Sequence, residues 1–300
     1  MSVEYIEQTC KSILHKIDLS YLPFNWGANP YRGCIHSCIY CFARYSHSYL
    51  DLDPKNEFES KIFVKMNSPH ILRKEFSNPK WKKELVNLGS VCDPYQIAEE
   101  KYRLTREILK VFLAYKNPIT IATKSDLILR DIDLLEELNQ TAFTDILFSI
   151  SSISECIQKE IEPRAPSTEK RLATIKTMSD RGLKVGVLLM PIAPFLNDSE
   201  KEIEKLFKAV AAAGTSYVIP GILYLQGPSK KRFFEFLEQE HIELVEKYKV
   251  LYQTRSPPIE YKNKKRELFH SLIKKYKLFN YRKYLQEINT QQSIDNWLKK

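Results

Sequence analysis

The sequence has no apolar run long enough to cross a bilayer. Its best candidate, Leu183 to Met190, falls far short of the roughly 20 residues that a spanning helix needs. The first residues, MSVEYIEQTCKSILHKID, carry mixed charge and lack the apolar core and small-residue cleavage site of a secretion signal. There is no repeat or low-complexity tract, no glycine-rich phosphate loop, no zinc-finger spacing and no RNA-recognition aromatic signature. No Ser, His and Asp arrangement reads as a hydrolase triad. Cysteine is also sparse, at six residues. Three of them lie within eight positions while Cys10, Cys92 and Cys156 are scattered, which is not the spread of a disulfide framework. These absences set the expectation of a cytoplasmic protein without a membrane partner, whose close-spaced thiols bind metal.

What is present is ordinary for a globular chain: 43% hydrophobic, 12% aromatic and 28% charged over 300 residues, enough for one large α/β domain or two small ones. The net charge of +9 is uneven. Residues 227–300 hold 17 Lys and Arg against nine Asp and Glu, and the rest of the chain is nearly neutral. Such a basic region suits phosphate contacts, although the interleaved acids also fit a solvated helical surface.

Residues 1–33 read as a leader rich in aromatic and turn residues. After it, short apolar runs alternate with helical patterns. The strand candidates are Ile62–Val64, Leu88–Val91, Ile119–Thr123, Asp145–Ser151, Lys184–Pro191 and Tyr217–Leu225. Asp93-Pro94 reads as the start of a helix running to about Tyr115, and Asp131 to Leu138 as a second. Ser167 is expected to cap a third ending at Gly182, and Ser199 with Glu202 a boxed fourth ending at Gly214. The alternation predicts a parallel sheet with right-handed crossovers, open or incompletely closed. Beyond Gly227, Phe233–Tyr252 and Lys264–Tyr276 look helical, which divides the chain into a 1–226 body and a 227–300 extension.

The chemistry concentrates in Asn29-Pro-Tyr-Arg-Gly-Cys34-Ile-His-Ser-Cys38-Ile-Tyr-Cys41-Phe-Ala-Arg44. Three thiolates at C-x3-C-x2-C can hold three irons of a 4Fe–4S cubane and leave the fourth open, where S-adenosylmethionine can chelate through its amino and carboxylate groups. Structural zinc is the competitor, and it wants four ligands, usually as two close pairs. The fourth would have to be His36, His47 or Cys92, and no second pair exists, so the iron–sulfur reading is preferred.

C-x3-C-x-aromatic-C near the start of an α/β chain resembles the radical S-adenosylmethionine (radical SAM) superfamily. The longer stretches NPYRGCIHSCIYCFARYSHSYL, VKMNSPHILRKEF, GSVCDPYQ, TKSDLILRDIDLL, EPRAPSTEKRL and VGVLLMPIAPFLND look like the branch related to spore photoproduct lyase, over roughly residues 22–225. The resemblance implies a partial (β/α)6 TIM-type barrel with an N-terminal leader and a helical extension. It also implies a reduced cluster on Cys34, Cys38 and Cys41 that cleaves S-adenosylmethionine to a 5′-deoxyadenosyl radical. Tyr40 and the Met190-Pro-Ile192 stretch match positions that contact adenine in the superfamily. Cys92 lies two residues beyond the place where the branch carries a hydrogen-donating cysteine. The bland alternative for Cys92 is a small buried hydrophobe.

Barrel sites lie at the carboxyl ends of strands, so Lys65, Asn67, Ser149 and Ser151 are cofactor-binding candidates. Arg164, in Glu162-Pro-Arg-Ala-Pro, sits on a stiffened loop and could fork onto a carboxylate. No second cluster motif exists, so an external one-electron reductant of the flavodoxin or ferredoxin type is expected. The substrate class stays open between nucleic acid and a small molecule or protein. A non-catalytic, metal-stabilised nucleic-acid-binding module is the reading from outside enzymology.

Overall fold

The computed structural model describes residues 3–19, 22–281 and 284. Positions 1, 2, 20 and 21 of the expected leader lie outside the described residues, as do 282, 283 and 285–300 of the basic extension. The chain begins with four short strands, β1 (Glu4–Gln8), β2 (Leu14–Lys16), β3 (Trp26–Ala28) and β4 (Tyr31–Arg32). Then come α1 (Tyr45–Ser48), β5 (Lys61–Lys65), α2 (Ser68–Phe76) and β6 (Val86–Leu88). Helices α3 (Ala98–Tyr102) and α4 (Leu104–Tyr115) lead to β7 (Ile119–Thr123), and α5 (Ile132–Thr141) to β8 (Thr144–Ser149). Next are α6 (Glu155–Ile161), α7 (Thr168–Asp180), β9 (Val185–Ile192), α8 (Glu200–Ala212) and β10 (Tyr217–Ile222). The described chain closes with α9 (Gly227–Glu240), α10 (Val245–Leu251), α11 (Ile259–Lys275) and β11 (Phe279–Asn280).

The larger sheet runs β11-β10-β9-β8-β7-β6-β3-β2, parallel from β3 through β11, with β2 antiparallel at one edge. Its two edges do not meet. Strands β3 and β6 to β10 with their crossovers form the partial TIM-type barrel expected of the chain. Strand β8 is buried along its whole length, as a parallel strand covered on both faces must be. Its neighbours contribute Ile119, Ile121, Val185, Val187 and Leu189 to one apolar core, sealed by residues of α4, α5, α7 and α8. On the opposite face Gly186 makes room for a second apolar group: a Cβ there would lie 2.2 Å from the Tyr217 ring. Among the described residues no helix is long and apolar enough to cross a membrane.

Several local expectations are corrected. Ile62–Val64 is a strand, but it belongs to a separate three-stranded sheet of β1, β5 and β4. The first barrel strand is instead β3, inside the expected leader and paired with β6. The Leu88–Val91 strand ends at Leu88 because Gly89 turns the chain at φ 97°. The single helix from Asp93 to Tyr115 is two. Arg103 takes a left-handed φ of 52°, and the buried Glu99 carboxylate accepts the N–H groups of Thr105 (3.0 Å) and Arg106 (3.3 Å), capping α4 from outside. The Phe233–Tyr252 helix likewise breaks at His241 between α9 and α10. Ser167 and Ser199 do cap their helices, accepting from Lys170 N and Glu202 N at 3.2 Å. The Glu202 carboxylate pairs with Lys205 at 2.9 Å.

Candidate active site at the carboxyl edge of the sheet

The loop 34–41 leaves β4 through Gly33, whose φ of 88° suits glycine. A Cβ there would meet the Lys61 and Phe58 carbonyl oxygens at 2.8 Å. Bonds from several directions then fix the loop. Cys34 N donates to Phe58 O (3.1 Å) and Ile39 N to Ile161 O (3.1 Å). The buried Gln96 amide accepts from Ile35 N and donates to Gly33 O, both at 3.0 Å. Arg44, fully buried, donates to Cys38 O (3.2 Å) and pairs with Glu59 at 2.5 Å, while Ser37 Oγ reaches the other Glu59 oxygen. A buried guanidinium is tolerable here because its partner and carbonyl acceptors replace water.

The three thiols share one dry environment. Burial pushes Cys34 well above the usual thiol range, helped by Asp93 and Cys38. Burial raises Cys38 to about 12, against the pull of Lys124; it also raises Cys41, against Arg44 and Lys124. Cys34 and Cys38 are buried and Cys41 half-buried on this one tight loop, in which Ser37 N donates to Cys34 O (3.5 Å) and Cys41 N to Cys38 O (3.2 Å). Among the described residues no three His, Cys, Asp or Glu side chains gather around a single-ion position. Of the side chains that a zinc site would have to recruit, His47 and Cys92 are hydrogen-bonded elsewhere. His36 Nδ1 faces Asp93 at 3.4 Å, His47 Nε2 lies 3.0 Å from Lys61 O, and Cys92 Sγ donates to Asn29 Oδ1 at 3.6 Å.

Around the thiols stand groups from the carboxyl ends of β7 and β8 and the segments after them. Asp93 ties the 93–96 turn to the end of β7, accepting from Thr123 Oγ1 (2.7 Å), Lys124 N (2.7 Å) and Tyr95 N (2.9 Å). Glu162, wholly buried, accepts from Tyr40 Oη and pairs with Arg171 at 2.5 Å. Burial alone would raise the Glu162 carboxyl, but Arg171 and Lys124 together hold it below its ordinary value. Arg171 also donates to Ser149 O (2.8 Å) and Pro166 O (2.9 Å), locking the 149–166 loop to α7. Burial works against the Lys124 ammonium, yet Cys38 and Glu162 raise its pKa.

The residues singled out from sequence fare differently. Tyr40 stands in this network, with the Lys124 ammonium 5.9 Å from its ring centroid. Ser149 donates to Met190 O at 3.4 Å, and the buried Ser151 hydroxyl has no hydrogen-bond partner among the described residues. Ile192 is core, and its carbonyl accepts from Leu223 N. Cys92 is buried in the same apolar group as Cys34, its thiol pushed up to about 12 by burial. Lys65 donates to Asn29 O at 2.9 Å, and burial lowers its pKa. Asn67 spends both amide atoms on the Cys10 backbone. Arg164 turns its side chain to solvent, and its N–H donates to His36 O at 3.3 Å.

Sequence reasoning missed Arg171, Lys124 and Gln96 and assigned Asp93 to a helix cap. Lys124 carried a legible signal, a lone cation directly after the Ile119–Thr123 strand. Arg171 carried none beyond lying four residues after the Ser167 cap.

Residues 28–208 match the model of the radical SAM superfamily. An uncharacterized protein of Mycobacterium tuberculosis is 37% identical over 279 residues, covering 92% of this chain and 82% of that protein. One from Methanocaldococcus jannaschii is 33% identical over 172 residues, 57% of this chain and 62% of that protein. Among solved structures, spore photoproduct lyase complexed with dinucleoside spore photoproduct superposes with a TM-score of 0.69 over 91% of this chain and 79% of that one. The identity there is 17%, so the likeness is one of fold. The cysteine loop falls inside the matched span, at the carboxyl edge of the shared sheet, and the chain belongs to the radical SAM superfamily.

Proposed function

We propose that Cys34, Cys38 and Cys41 hold a 4Fe–4S cluster at which the enzyme reductively cleaves S-adenosylmethionine. The observation that carries this is the tight loop that bears all three thiols, with the cations Arg44 and Lys124 beside them. A cubane does not need its cysteines to converge on one ion, since each takes a different iron. Held by these three cysteines, a reduced cluster would supply one-electron chemistry, cleaving the S–C5′ bond of S-adenosylmethionine to methionine and a 5′-deoxyadenosyl group able to abstract hydrogen.

The chain's own residues then bind and orient. Tyr40 offers its ring to adenine and Ile192, whose side chain is core, the backbone of its strand end, while the Ser151 hydroxyl and Lys124 offer donors to the amino acid or ribose end. The Arg171–Glu162 pair positions Tyr40. Cys92, a neutral thiol at pH 7, is suited to give a hydrogen atom to a substrate radical. An external flavodoxin- or ferredoxin-type protein supplies the electron. For the substrate we favour nucleic acid, on the basic 227–300 region and on a structure of spore photoproduct lyase with bound AdoMet and dinucleoside spore photoproduct. In this scheme residues 1–226 are the catalytic body and 227–300 its extension.

The test uses anaerobically reconstituted protein with dithionite, beside Cys38→Ala. About four irons per chain, as a cubane requires, and 5′-deoxyadenosine formation that disappears in the variant are expected. Bound zinc, or a cluster that never cleaves S-adenosylmethionine, would overturn the proposal.

A further inference from the structure

The end of β10, the start of α9 and residues 253–256 line an open, shallow groove of about 640 Å³, bordered among others by Tyr224, Gln226, Gly227, Lys230, Thr254 and Arg255. A second groove of about 420 Å³ adjoins it through Lys230 and Gln253 and adds Lys231 and Lys249. We propose that these joined grooves anchor successive phosphates of a single-stranded nucleic acid, with Tyr224 as the platform for a base.

Uncompensated charge is the first support. Lys230 Nζ donates to Tyr252 O (2.7 Å), and Arg255 Nη1 lies 3.5 Å from Tyr224 Oη. Three nearby acids are taken, Glu235 by Lys55, Glu160 by His241 and Glu246 by Lys249, so Lys249 is itself compensated, and Glu238 is an acid within reach of Lys249. Among the described residues no carboxylate pairs with Lys230, Lys231 or Arg255. Such cations around a concave, nucleotide-sized space ask for an anion.

The backbone adds to them. Helix α9 opens on Gln226 with no acidic residue in its first turn, and nothing lies within 4 Å of a Cβ built on Gly227. Of its first-turn N–H groups the Gln226 side chain takes that of Ser229 and Pro228 has none, which leaves that of Gly227 at the positive end of the helix dipole. Tyr224 is 46% exposed, with its hydroxyl fixed 2.9 Å from Gln226 Oε1, so the ring stands at the rim as a stacking surface. Two grooves sharing one lysine suit consecutive phosphates better than a lone nucleotide.

Location links this surface to the reaction centre. Strands β8, β9 and β10 are parallel, so the loop after β10 shares an edge with the cysteine loop. Leu223 and Leu225 pack in one apolar group with Ile39. A strand held on Lys230 and Arg255 would run past the site. This last link rests on the function proposed above, whereas the anchoring does not.

The experiment measures anisotropy of labelled oligothymidylate of about 12 nucleotides, within the span of single-strand sites, on full-length reconstituted protein across a salt series. Binding is expected for the parent. Arg255→Ala should weaken it roughly fivefold to tenfold and lower the salt slope by about 0.7, one single-strand phosphate contact. Lys230→Ala should add to the loss. Lys176→Ala, an exposed lysine already paired with Asp180, should change neither. Arg255 is exposed and keeps the test valid if Lys230→Ala fails to fold. Absence of parental binding, an unchanged slope in Arg255→Ala, or equal competition by a mononucleotide would overturn the proposal. The same preparation's 5′-deoxyadenosine yield judges the radical chemistry separately, because anchoring can be present or lost whether or not cleavage occurs.

Discussion

The two edges of the large sheet bury ionisable groups in opposite ways. At the carboxyl edge Glu162 is surrounded by Arg171, Lys124 and the Tyr40 hydroxyl, and it stays ionised below its ordinary pKa. At the amino edge Asp145, at the start of β8, meets one partner, the Tyr217 hydroxyl at 2.7 Å, and its other oxygen has none. Tyr217 is stacked on Tyr284 at 4.2 Å, so this end is roofed by aromatic rings rather than charges. Burial there pushes Asp145 up to about 7, with Tyr217 and Lys184 opposing only in part. Equal burial therefore gives opposite pKa shifts, and the number of compensating cations decides which. A partnered network holds fixed charge beside reactive thiols, while a lone carboxylate merely makes stability depend on pH.

Breaking the partnered edge should have the largest effect. Arg171→Met leaves Glu162 buried with only Lys124 and the Tyr40 hydroxyl to offset its charge, and breaking a buried pair costs about 3–5 kcal/mol. A Tm loss of many degrees is expected by calorimetry, with Arg171→Met/Glu162→Gln recovering most of it. A double variant no more stable than the single one would mean that Arg171 acts through its Ser149 and Pro166 carbonyl bonds instead.

The same contrast explains what was legible in the sequence. Strand β7 matched its expected limits because an apolar run there is bounded by Pro118 and Lys124, a purely local signal. The partial barrel followed from such runs alternating with capped helices. Strand β3 was hidden because three residues, Trp-Gly-Ala, carry no periodicity and are held by pairing with β6 and β2. The break at Arg103 was invisible because its cause is Glu99, tied to Tyr31 and Arg130 far along the chain. At the site, the cysteine spacing announced itself, whereas choosing Arg171 over Arg164 required knowing which one points inward.

The lone carboxylate offers the next test, smaller and pH-dependent. Its native pKa lies above the unfolded value, so the native state binds the proton more tightly. Wild-type stability relative to Asp145→Asn is then highest below about pH 4 and falls by about 1.4 kcal/mol per unit up to about pH 7. Asp145→Asn should melt higher than wild type at pH 8, with the advantage shrinking towards pH 5. A difference flat across that range would show that solvent or a cation reaches Asp145 and that the amino edge is not dry.

The smallest effect is expected where the sequence drew attention and the fold did not follow. Arg164 lies two residues from Glu162 and was expected to fork onto a carboxylate, yet its side chain is exposed. Removing an exposed cation with no buried partner changes stability by no more than about 0.5 kcal/mol. Arg164→Ala should therefore keep its Tm, and its affinity for S-adenosylmethionine should stay within about twofold, below the 1.4 kcal/mol that a tenfold change represents. Both are measurable by titration calorimetry on reconstituted protein. A tenfold loss of affinity at unchanged Tm would instead mean that the loop turns Arg164 inward when the ligand binds. That outcome would move one cation of the carboxyl edge from the solvent into the binding machinery, and it would widen the contrast with the amino edge rather than remove it.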